Sequence, residues 1–111
     1  MRSRRPALAA LISIAMLARA LAQASGPEEA IKLQQQGKWA EAARAWQSVV
    51  ERDPHDAAAF ASLGFALSKE QKYQEAASAY RKAIALNPKL QGVQLNLGLA
   101  EFKQSAPRFL V

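Results

Sequence analysis

The sequence predicts an all-α chain built as a stack of antiparallel helix pairs, an α-solenoid of about two and a half repeats. Three observations predict it. The stretch Lys38-Trp39-Ala40-Glu41-Ala42-Ala43-Arg44-Ala45-Trp46 recurs 34 residues downstream as Lys72-Tyr73-Gln74-Glu75-Ala76-Ala77-Ser78-Ala79-Tyr80. The same offset links Leu33 to Leu67, Val50 to Ile84, Pro54 to Pro88, Leu63-Gly64 to Leu97-Gly98, and Ala66 to Ala100. Within one copy, Phe60, Leu63, Gly64 and Leu67 recur at i, i+3, i+4 and i+7, which is one face of a helix. A fixed period of this size belongs to helical units that bury their apolar faces on one another.

Taken in order, the chain divides into a leader over 1–24, an atypical first repeat over 25–56, a complete repeat over 57–90 and a truncated third repeat over 91–111. In the first repeat Pro27 opens a helix, and Glu28-Glu29 in its first turn favour the positive end of the dipole. The complete repeat begins at Asp56, an N-cap whose carboxylate accepts a bond from an early helical N–H. Lys69-Glu70-Gln71-Lys72 ends this helix in a short turn. A second helix follows, with Tyr73, Ala76, Ala77, Tyr80, Ala83 and Ile84 on its inner face. Asn87-Pro88 closes it, because proline cannot continue a helix and restricts the residue before it. Gly64 and Ala76 are small where the two helices approach. Trp39, Trp46, Tyr73 and Tyr80, at helical spacing, are expected as interhelical core, in preference to a base-stacking platform or a cation cage.

This pattern resembles the tetratricopeptide repeat. Phe60, Leu63, Gly64, Leu67, Tyr73, Ala76, Tyr80, Ala83 and Pro88 match that family's unit in the second copy, and Leu33, Trp39, Ala42, Trp46 and Pro54 match it in the first. The first copy departs at Gly26 and Glu29, where the family has an aromatic and a leucine, as an outermost repeat facing water does. The third copy has Asn96, Leu97, Gly98 and Ala100 and then breaks off. The resemblance implies a right-handed superhelical stack whose first helices line a concave groove and whose second helices form the outer wall. It also implies a binding role without a cofactor, toward a protein or peptide partner.

On this resemblance the groove positions are Ala58, Ala61, Phe65, Ser68 and Lys69 in the second copy, and Gly92, Leu95, Leu99, Phe102 and Lys103 in the third, with Asn96 beside them. Phe65, Leu95, Leu99 and Phe102 would form an apolar floor, with Lys69 and Lys103 at one end. Such a groove suits an extended peptide or an amphipathic helix with an acidic residue near the lysines. Chaperone-binding members of the family grip a C-terminal carboxylate through Lys, Asn and Arg on their first helices. Pro27, Ile31, Ser62, Gly92 and Asn96 occupy those places here, and only Asn96 fits. The competing expectation is that Leu95, Leu99 and Phe102 are core residues of a longer protein.

Residues 1–24 read as an address. Arg2, Arg4 and Arg5 precede an apolar run from Ala7 to Ala18, and Ala22-Gln23-Ala24 supplies small residues in an A-x-A arrangement. These are the three parts of a secretory signal, with cleavage after Ala24 or at Ala20. An uncleaved anchor with Arg19 snorkelling is the alternative, although the run is shorter than the roughly 20 residues a span needs. Ser3-Arg4-Arg5 with Leu8 is a partial match to a twin-arginine signal. The expected location is therefore periplasmic or secreted, with membrane contact only during export. Without the leader's four arginines, the chain's net charge of +6 falls to +2, and nucleic acid is not an expected partner.

No catalytic constellation can be assembled. With no Cys and a single imidazole, His55, thiolate chemistry is absent. Asp53-Pro54-His55-Asp56 lacks a recognised ligand spacing, reads as the inter-repeat turn, and predicts no metal site. The five glycines are scattered, so no phosphate loop exists either.

After Gln104 the repeat pattern calls for a turn and a second helix, where the chain has Ser105-Ala106-Pro107-Arg108-Phe109-Leu110-Val111. Gly98 then has no partner helix to approach, and Leu97 is expected to lose the helix that would bury it. Two expectations follow from this exposed face: self-association through the last helix, or an N-terminal fragment of a longer exported repeat protein or repeat-bearing enzyme. Leu90-Gln91-Gly92 is a poor helix start, so the last helix is expected to fray first.

Overall fold

A computed structural model describes residues 26–106; the proposed leader, its cleavage site and residues 107–111 lie outside the described residues. Among the described residues there are five α-helices and no strand: α1 (Pro27–Gln35), α2 (Trp39–Arg52), α3 (Ala57–Lys69), α4 (Tyr73–Leu86) and α5 (Val93–Ser105). Each helix packs on the next, and α3 also touches α5. The result is an all-α solenoid of antiparallel pairs, α1 with α2 and α3 with α4, followed by α5. None of these helices is long and apolar enough to cross a membrane.

The 34-residue period reappears as a period in burial. Ala42, Ala43, Trp46, Val49 and Val50 are the buried face of α2, and Ala76, Ala77, Tyr80 and Ala83 repeat it in α4, with Ile84 at its edge. Alanine at these places lets the backbones come close. The tightest approach is between α3 and α4: a Cβ on Gly64 would stand 2.7 Å from the Tyr80 ring, which is itself only 1% exposed. A larger residue at Gly64 would need the ring to move, so glycine is what permits this crossing. The buried Trp46 indole donates to Gln34 Oε1 at 3.2 Å, which satisfies its N–H inside the first pair.

Local chemistry sets the helix ends. Asp56 Oδ1 accepts from Ala59 N at 2.9 Å and caps α3. The turns inside the two pairs share a left-handed residue: Gly37 at φ +72° and, one period later, Gln71 at φ +64°. The inter-pair turns also match: Asp53 Oδ1 accepts from His55 N, and Asn87 Oδ1 accepts from Lys89 N. Both carboxylates flanking His55 therefore have turn-making roles.

The last helix departs from the register. α5 opens at Val93, two residues later than the period would place it, because Gly92 is left-handed at φ +80° and supplies no side-chain cap. Gly92 thus precedes the helix and does not face the groove, contrary to the expectation from sequence. Leu97 is half-buried at the edge of the core, where its counterpart Leu63 is buried. Arg81 and Glu101, 3.0 Å apart, add an exposed tie between α4 and α5.

Candidate peptide-binding groove

The first helices of successive units, α3 and α5, carry the predicted groove residues. Phe65, Lys69, Asn96, Leu99 and Lys103 line one hollow of about 190 Å³, together with Ser68, Tyr73 and Tyr80. Five of the seven expected residues therefore meet around a single depression. The other two do not line it. Leu95 and Phe102 are 68% and 66% exposed, on the flank of α5 that turns away from its core face. Phe102 stands one period after Ser68, whose hydroxyl shares a 3.4 Å hydrogen bond with the Tyr80 hydroxyl of α4.

The rim is built from aromatic–lysine pairs. Lys69 Nζ lies 5.7 Å from the Trp39 ring centre and 5.3 Å from that of Phe65. Trp39 and Phe65 meet edge to face at 5.5 Å. One period later, Lys103 Nζ lies 5.5 Å from the Tyr73 ring centre. A cation over an aromatic face is held by the ring quadrupole, worth about 0.5–1 kcal/mol at exposed sites. Sequence reasoning placed all four tryptophans and tyrosines in the interhelical core. Trp46 and Tyr80 are there, whereas Trp39 and Tyr73 are half-buried at its edge and receive the lysines. The 34-residue relation of Trp39 to Tyr73 and of Lys69 to Lys103 held that signal, but helical spacing alone cannot say which ring faces outward.

The electrostatics of the hollow are simple. Burial raises the Tyr80 phenol above its ordinary value of 10.0, and the bond to Ser68 offsets part of that rise. The phenol therefore stays neutral and acts as wall. A larger hollow of about 660 Å³ lies between α2 and α4, over Phe60, Leu63 and Leu67. Its rim mixes Glu75 with Arg81 and Lys82, so it presents no single charge to a partner. The smaller hollow has an apolar floor and a cationic rim on one side, which gives it a direction.

Paired helices, a recurring unit and a groove lined by first helices define a helical-repeat interaction scaffold. The family model for the tetratricopeptide repeat matches residues 28–91 and 66–107. The chain belongs to the tetratricopeptide-repeat family, whose domains in general bind proteins and are non-catalytic. No curated relative matches the chain.

Proposed function

We propose that this chain is an exported, non-enzymatic scaffold that holds an extended segment of a partner protein in the hollow between α3 and α5. The observation that carries the reading is the convergence of Phe65 and Leu99 with Lys69 and Lys103 on one depression. Apolar side chains of a bound segment would rest on the floor while the lysines orient it. Few polar groups set direction and the apolar floor supplies the contact area, the usual division of labour in a binding cleft. Export is supported by Arg2, Arg4 and Arg5, the apolar run from Ala7 to Ala18 and Ala22-Gln23-Ala24.

A photo-crosslinking amino acid in place of Leu99, in chain expressed with its leader, tests the reading. A captured polypeptide that is lost with Phe65→Ala and retained with a crosslinker-distal change such as Arg44→Ala is expected. Capture indifferent to Phe65, or no polypeptide captured from Leu99, would sink it. An N-terminus beginning at Ser25 in the exported fraction is the expected mark of processing, and an intact Met1 there argues for an anchor.

A further inference from the structure

Independently of the groove reading, we propose that the outer face of α5 docks a second copy of this chain. Leu95, Gly98, Leu99 and Phe102 fall at i, i+3, i+4 and i+7, a single stripe along the helix. All four are exposed, with Leu95, Leu99 and Phe102 at 68%, 50% and 66%. Val93, Leu97 and Ala100, which pack into the core, lie on the opposite side of α5. A Cβ on Gly98 would meet nothing within 4 Å among the described residues. One period earlier the same places hold Ala61, Gly64, Phe65 and Ser68. The internal first helix thus uses small side chains where α5 carries Leu95 and Phe102. Stacking on α4 does not call for those two large residues, because α5 already closes on the core through its other face.

The size pattern of the stripe points to its occupant. Large residues stand at both ends, Leu95 and Phe102, and the small Gly98 adjoins Leu99 near the middle of α5 (Val93–Ser105). Set against itself about a two-fold axis, the stripe places Leu99 of each copy over Gly98 of the other. Its large ends then meet large ends. Such a patch is its own complement, which is the requirement for an isologous contact, and a leucine entering a glycine gap is a knob in a hole. The charges agree with it. Glu101 and Lys103 are the charged residues of α5, one on each flank of the stripe. Pairing in the parallel sense brings Glu101 beside Lys103 of the second copy, and the antiparallel sense sets them beside the neutral Gln94 and Asn96. Neither sense brings like charges of α5 together. Four side chains make a patch of a few hundred Å², short of the roughly 800 Å² that each partner contributes to a standard interface. The dimer is therefore weak and dissociates on dilution.

Sedimentation velocity of the full chain, from micromolar to sub-millimolar concentration, tests the proposal. A monomer–dimer equilibrium is expected. Phe102→Glu should weaken it by about tenfold or more, since it buries a charge in the contact, while Phe102→Leu should stay within about threefold of the parent. Phe102 is exposed, so both variants should keep the parent's helical circular dichroism. The chain has no Cys, so a single Gly98→Cys supplies the one thiol for a short bis-maleimide. Cross-linked dimer is expected from Gly98→Cys, is expected to be lost when Phe102→Glu is added, and is not expected from Arg44→Cys on α2. A monomer at every concentration overturns the proposal, whether another segment of the same chain covers the stripe or none does. A dimer that Phe102→Glu leaves unchanged overturns it as well, because association then runs through another surface.

Discussion

The helix pair α3–α4 and the lone helix α5 share a sequence pattern and differ in what covers them. Gly64 and Gly98 occupy the same place in the repeat. At Gly64 a Cβ would press on the Tyr80 ring at 2.7 Å, while at Gly98 it would meet nothing within 4 Å. Leu63 is 6% exposed, and its counterpart Leu97 is half-buried at the edge of the core. α3 starts from an aspartate cap, whereas α5 starts from a left-handed glycine. Equivalent residues therefore carry different energies, because a repeat unit is stabilised mainly by its neighbours.

The largest effect expected from this contrast is at the leucines. Leu63→Ala should cost about 2–5 kcal/mol, the range for a buried leucine, and Leu97→Ala about half of that or less. Urea unfolding of the two variants measures the difference, and equal losses would break the comparison. Next come the glycines, where the sign should invert. Gly64→Ala is expected to destabilise by about 1–3 kcal/mol through overpacking on Tyr80, whereas Gly98→Ala should stabilise by up to about 1 kcal/mol from helix propensity. Thermal melts of both variants read this directly, and destabilisation by both would show that Gly98 is also a contact point.

A smaller change sharpens the turns. Gln71 holds the left-handed conformation that Gly37 holds one period earlier, and a side chain there costs about 1–2 kcal/mol. Gln71→Gly should recover about 1 kcal/mol of that, less the added entropy of the unfolded chain. An unchanged melting midpoint would mean that the Gln71 side chain repays its own strain. The gentlest effect is in alkaline solution. The Tyr80 phenol has its folded pKa raised by burial, so its contribution is complete below the ordinary value of 10.0 and is lost as pH rises from there through the folded value. Tyr80→Phe should fall less steeply in stability than the parent above pH 10.0. Parallel stability curves for the two would remove Tyr80 from the account.

Most of the scaffold was legible in the sequence. The echo of Lys38–Trp46 in Lys72–Tyr80, the cap at Asp56 and the stops before Pro54 and Pro88 are local or periodic signals, and the helices fall accordingly. The groove was legible as a set of positions, and five of its seven residues share one hollow. Leu95 and Phe102 do not line that hollow, and helical periodicity, which locates a face only to within a residue or so, cannot separate a groove floor from its flank. Leu97 is half-buried where Leu63 is buried, in the direction the interrupted repeat led one to expect. Trp39 and Tyr73 were assigned to the core because an aromatic at helical spacing reads the same whether one edge of its ring is open or closed.

By itself, then, the sequence determined the helical unit, its period and its pairing, since capping, proline stops and the 3.6-residue apolar stripe act within or between adjacent segments. Only the tertiary structure decided which of two equivalent glycines is under compression. It also decided which aromatics receive a lysine and which apolar residues of α5 meet the groove. Those outcomes depend on distances between helices that no single segment encodes, and identical motifs diverge as soon as their neighbours differ.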